Sequence, residues 1–191
     1  MSCEDSRSQN SLMAKFGIPI LENKLNLSEI KISSLEDDLE RNSDLILAIT
    51  IRNLNNTNDF IRIASRIRTY KFYESIEFRN QFTFRSRSMY GKNKTEYQKV
   101  IEGWGDYFFY AFESEDRSKI IYYKIIDLRS FRWKLLNYYS KILKQVENDK
   151  EKKWNGKASG IPTKKGNNDS TEFNYFNDKH FEDCFVCKAG I

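Results

Sequence analysis

A mixed α/β domain, with a central mixed sheet of about five strands flanked by helices, is predicted by three features of this 191-residue chain. Strand-like runs with period-two alternation follow one another closely before residue 90. Helical patterns bracket and interrupt them, giving the order helix, three strands, helix, two strands, helix. The aromatic content, 14 Phe, 11 Tyr and 3 Trp, supplies a core without long aliphatic stretches. The first strands are too closely spaced for helical crossovers, which excludes a doubly wound parallel sheet.

Residues 1–30 read as an N-terminal helix interrupted at Gly17-Ile18-Pro19. A short acidic element, Ser34 to Arg41, precedes a nearly continuous apolar run from Asp44 to Ile51, the pattern of a buried strand. Asn53 to Asn58 has the composition of a hairpin loop. Two arginine-rich strands follow at about 60–70 and 81–88. Thr95 to Glu102 is a short helix ended by Gly103. Asp106–Phe112 and Ile120–Ile126 are strands around a Ser/Glu/Asp turn, with the run Tyr107 to Tyr110 read as core. Residues 127–150 are helical, with Leu128, Phe131, Leu135, Tyr138, Tyr139, Ile142 and Leu143 at three- and four-residue spacing. On this reading residues 1–150 form one core domain, 151–170 a mobile basic loop, and 171–191 a strand or tail packing on the core.

Net charge is +5, but its distribution is uneven. Residues 1–60 carry 6 basic and 10 acidic side chains, residues 61–100 carry 10 and 3, and residues 101–191 carry 16 and 14. The middle forty residues therefore hold the basic excess, as expected for a polyanion-binding patch. Within them, Ile61, Ile63, Ser65 and Ile67 alternate with Arg62, Ala64, Arg66 and Arg68, while Phe82 and Phe84 alternate with Thr83, Arg85 and Arg87. Paired in one sheet, these strands would make one face an apolar wall and the other a field of guanidinium groups, whose forked donors match phosphate oxygens. Arg62, Arg66, Arg68, Arg85 and Arg87, with Lys92 and Lys94 just beyond, are the nucleic-acid-binding candidates. The same pattern also describes a solvated face whose arginines pair with nearby carboxylates.

The segments Leu35 to Ile46, Arg62 to Arg68, Phe82 to Ser86 and Thr95 to Tyr107, in an order α-β-β-β-α-β, resemble the restriction-endonuclease-like core of the PD-(D/E)XK nuclease superfamily, over roughly residues 30–135. The resemblance is to phage and mobile-element types. It implies nucleic acid as partner, DNA ahead of RNA, and Mg²⁺ held by carboxylates that activate water. Asp44 fits the strand-opening Asp. The (D/E)-x-K motif is replaced by Ala64-Ser65-Arg66, and arginine serves as an anion holder rather than a base. Glu96 and Asp38 are the spare metal carboxylates beside Asp44, and Lys99 stands one helical turn after Glu96. The degenerate motif equally suits a non-catalytic protein that uses the basic face to bind DNA or a partner protein.

Other chemistry has less support. His180, Cys184 and Cys187 have zinc-like spacing but offer three ligands where a structural site takes four, with Asp183 as a nearby fourth. No G-x-G-x-x-G, P-loop or G-x-S-x-G occurs, which argues against dinucleotide, P-loop and serine-hydrolase chemistry. Trp104, between Gly103 and Gly105, is read as a core plug. Three cysteines and an acidic N-terminus suit a cytoplasmic chain with no membrane span; a homodimer is compatible with all of this.

Overall fold

The computed structural model describes residues 11–27, 30–32, 48–54, 57–88, 95–137, 163–165 and 171–190. The fold is mixed α+β. Near the N-terminus a π-helical turn, Met13–Gly17, runs directly into α1 (Ile18–Leu25). The expected interruption at Gly17-Ile18-Pro19 is therefore a change of helical pitch and not a break. Pro19, which has no N–H to donate, lies just after that π-helical turn.

Six strands form the main sheet: β1 (Lys31–Ile32), β2 (Ala48–Leu54), β3 (Thr57–Arg68), β5 (Tyr107–Glu113), β6 (Ile120–Asp127) and β9 (Phe185–Gly190), in the order β1-β2-β3-β5-β6-β9. Three strands form a second sheet, β4 (Gln81–Ser88), β8 (Thr171–Asn177) and β7 (Thr163–Lys165), with β8 in the middle. All neighbours are antiparallel except β3 and β5. The β2–β3 hairpin is paired up to Leu54 opposite Thr57, so Asn53, Leu54, Thr57 and Asn58 of the expected loop are strand.

The two arginine strands are thus not neighbours. Between them lie two helical turns, α2 (Tyr70–Glu74) and α3 (Ile76–Arg79), which carry the chain off the main sheet. β3 pairs instead with β2 and β5, and β4 with β8. The expected single sheet of about five strands is in fact two sheets, and the C-terminal segment contributes a strand to each.

Strict alternation along β5 explains the layering. Phe108, Tyr110 and Phe112 enter one aromatic core, while Phe109 and Ala111 enter another on the opposite face. The first core holds Phe82, Phe84 and Phe176 from the second sheet, Val100 from α4 (Glu96–Ile101), and Leu128, Phe131 and Leu135 from the helix over residues 128–137, called α5. The second holds Leu12, Met13, Leu21 and Leu27 of the N-terminal segment against Ile63, Ile67 and Ile125. The order of layers is N-terminal helix, main sheet, then second sheet with α4 and α5. Burying each large side chain contributes about 1.5–3 kcal/mol, and Phe82 alone meets the rings of Phe84, Phe131, Phe176, Phe181 and Phe185.

Two devices set the edge of the first core. Thr95 caps α4 reciprocally: its hydroxyl accepts from the Gln98 N–H, and Gln98 Oε1 accepts from the Thr95 N–H at 2.8 Å. Gly103 and Gly105 then take φ of 97° and 77°, turning the chain into β5. Asp106 secures that entry by accepting from the Arg62 N–H at 2.7 Å and donating its own N–H to Arg62 O at 2.7 Å. No helix among the described residues is long and apolar enough to cross a membrane.

Candidate nucleic-acid interface

Alternation on β3 sends Ile63 and Ile67 into the second core and Arg66 and Arg68, with Ala64, toward the layer that contains β4. The expected guanidinium face shared by two paired strands does not form; what remains of it, the Arg66 and Arg68 side of β3, is covered. Arg66, with its side chain 10% exposed, reaches off the sheet to the carboxylate of Glu96 on α4. Its guanidinium also donates to Thr83 Oγ1 of β4 at 3.4 Å and lies 5.4 Å from the Phe173 ring centre of β8. Glu96 is buried, and its second oxygen accepts the Arg85 backbone N–H at 3.0 Å. One carboxylate therefore ties β3, α4 and β4 into a seam.

Around this seam the charge is unbalanced. β3, β4, α4 and β8 together carry six basic and three acidic residues. Arg68 packs its guanidinium 3.8 Å from the Phe72 ring centre. Its Nε is buried without a hydrogen-bond partner among the described residues, and burial holds its pKa below the usual arginine value. Stacking offsets part of the cost of desolvating this group; a carboxylate partner would offset more. Lys99 is buried on the same helix as Glu96, with its ammonium 5.9 Å from the Trp104 ring centre. Trp104 is half-buried and belongs to neither of the two cores, unlike the core plug expected of it.

The remaining candidates disperse. Arg62 is exposed in the middle of β3. Arg87 follows a β-bulge and stands opposite Glu172 in the register. Lys92, Lys94, Asp38 and Asp44 lie outside the described residues. Of the three expected metal carboxylates only Glu96 is therefore described, and it is engaged by a guanidinium and a backbone donor.

Nor does the zinc constellation assemble. His180 is exposed, Cys184 sits in the first core and Cys187 packs against the second, on the other face of the sheet. Burial raises the Cys184 thiol to about 11, and raises Cys187 as well, so both behave as small apolar residues. Among the described residues no group of three or more His, Cys, Asp or Glu side chains could hold a metal ion.

Two features escape sequence reasoning. Lys124, inside the apolar strand β6, is fully buried and donates to Arg79 O, Gln81 O and Asp178 Oδ1 at 2.5, 2.9 and 2.9 Å. It pins the main sheet to the start of β4 and to the turn after β8. The second is a groove of about 960 Å³ between α5 and the short helical turns Asp178–His180 and Glu182–Cys184. Trp133 and Leu136 line it while 70% and 65% exposed. The omission of both from the apolar stripe Leu128, Phe131, Leu135 was the available signal.

No family model matches this chain, and no curated protein or solved structure does so.

Proposed function

We propose that this chain is a nucleic-acid-binding protein that contacts phosphate through the seam of β3, β4, α4 and β8. The observation that carries this reading is the pair of guanidinium groups Arg66 and Arg68 on one side of β3: Glu96 is engaged by Arg66, while Arg68 Nε is buried without a hydrogen-bond partner among the described residues. Buried cations are ordinarily balanced by carboxylates or other acceptors, and a phosphate group arriving at the partly exposed side of Arg68 would supply the missing balance. The basic run Arg85 to Lys94 continues the excess along the chain.

A restriction-endonuclease-like core belongs to the same proposal. Its support is the β2–β3 hairpin followed by a crossover to the parallel strand β5. The seat of β4 in a second sheet departs from that core. Between the nuclease and binding-only versions, the engagement of Glu96 by Arg66 and Arg85 favours binding without catalysis.

The test is a titration of labelled duplex and single-stranded DNA and RNA at increasing salt. Binding should weaken with a log–log slope near −0.9 per phosphate neutralised on duplex DNA. Arg68→Ala and Arg85→Ala should each reduce that slope by about one where the side chain meets a phosphate. Absence of binding at low salt ends the reading. Cleavage with Mg²⁺ that disappears in Asp44→Asn would replace the binding-only version with the nuclease.

A further inference from the structure

The groove beside α5 is lined by groups unlike those of the seam. We infer that it holds the bases of a single-stranded nucleic acid, stacked on Trp133, an assignment that rests on the nucleic-acid reading above and specifies its substrate as single-stranded. Trp133 is the most exposed large hydrophobic residue described, at 70%, and with Leu136 it stands off the buried stripe Leu128, Phe131 and Leu135 of the same helix. An indole left in water at this cost to solvation offers a flat π-face that accepts any base. Leu136 extends the apolar floor, and Phe181 at the opposite wall anchors the turns to the core.

Charge selects the occupant. The described part of α5 carries Arg129, Arg132 and Lys134 and no carboxylate. Arg132 spends its guanidinium on the carbonyls of Val100 and Gly105, at 3.3 and 3.1 Å, which fixes the helix but leaves its positive charge uncancelled. Lys134 pairs with Asp183 at 2.6 Å across the groove. Arg129 is exposed at the rim, and His180 stands exposed on the opposite wall. An aromatic platform flanked by cations is the arrangement that single strands use, bases on the ring and phosphates along the basic side. Duplex DNA keeps its bases stacked inside and cannot offer them to an indole without unpairing.

The experiment compares a short labelled oligothymidylate with its duplex, on wild type, Trp133→Ala, Trp133→Phe and Arg68→Ala. Because Trp133 is exposed, Trp133→Ala should melt like wild type. It should bind oligothymidylate roughly tenfold or more weakly, the loss of one stacked base. Trp133→Phe should recover most of that affinity, and duplex binding should change little. Unchanged oligothymidylate binding in Trp133→Ala, with loss in Arg68→Ala, would overturn the groove assignment while keeping the nucleic-acid reading. A Trp133→Ala protein that binds normally but loses self-association in sedimentation would assign the groove to a second copy and overturn the inference. No binding of either probe by wild type would end both proposals.

Discussion

Lys124 and Asp178, 54 positions apart in sequence, form an ion pair at 2.9 Å with the lysine side chain fully shielded from solvent. All three ammonium protons have acceptors, two of them main-chain carbonyls at the corner that starts β4. Lys188 reaches the same carboxylate at 3.9 Å from the edge strand β9. The pair is a clamp between the sheets, formed at the expense of desolvating both ions.

Removing one partner strands the other. Lys124→Met should destabilise the fold by about 3–5 kcal/mol, because Asp178 stays buried without its main counter-ion. The double change Lys124→Met with Asp178→Leu should recover a large part of that loss. Denaturant unfolding of the three proteins checks this; equal losses in the single and double variants would show that the clamp acts through its carbonyl bonds alone.

Burial brings the Lys124 ammonium down to about 8 from an ordinary 10.5, despite the opposing pull of Asp178. Between pH 8 and 10 the unfolded chain therefore holds a proton that the folded chain releases. Unfolding takes that proton up, so stability from this group rises with pH across the window; below pH 8 both states are charged and it contributes no slope. Cys184 and Cys187, raised by burial above the usual thiol value of 9, act in the opposite direction from about pH 9, and Tyr122, raised above 10, beyond that, equally in wild type and Lys124→Met. Unfolding free energies measured from pH 7 to 10 should show a rising contribution in wild type that is absent in Lys124→Met.

Glu96→Gln keeps the shape of the seam and deletes its buried negative charge. The Arg66 guanidinium then faces an amide, at a cost of about 1–3 kcal/mol in stability. Under the proposed function the same variant should bind polyanions more tightly with a steeper salt dependence, since one repelling charge has gone. Anisotropy titrations on the folded variant decide; weaker binding would show that the Arg66–Glu96 pair positions the site rather than opposing it.

The two glycines that flank Trp104 should differ in what they tolerate. Both adopt positive φ, so alanine costs about 1–2 kcal/mol at either. A Cβ on Gly103 meets nothing within 4 Å, whereas one on Gly105 would stand 3.0 Å from Leu128 Cδ1. Gly105→Ala should be the more destabilising by thermal melting, and Leu128→Ala in the same chain should relieve the added clash while opening a cavity of its own.

The faces of the strands were legible from alternation: Ile63 and Ile67 go one way and Arg66 and Arg68 the other, as period two requires. The neighbours were not. Periodicity says which side of a strand is buried but nothing of which strand lies beside it, and the helical turns over residues 70–79 carry β4 to a sheet whose other members come some ninety residues later. Lys124 shows the same limit, since a lone cation in Ile120–Ile126 gives no hint that Asp178 waits beyond β8. On α5 the stripe Leu128, Phe131 and Leu135 was predicted buried and is buried. Trp133 falls off that stripe, and its exposure follows from the same geometry.

Strand β4 waits long for its partner. Ser88 pairs with Thr171 and Gln81 with Asn177, so the aromatic residues Phe82 and Phe84 leave the ribosome well before β8 exists. At about 5–20 residues per second, that interval is roughly 5–20 s. Through it, a strand with two bare phenylalanines and unpaired backbone donors is open to chaperones or to its own copies on neighbouring ribosomes. A stop codon placed between residues 128 and 171 would release a chain in that condition permanently, with β6 lacking β9 and Lys124 lacking Asp178.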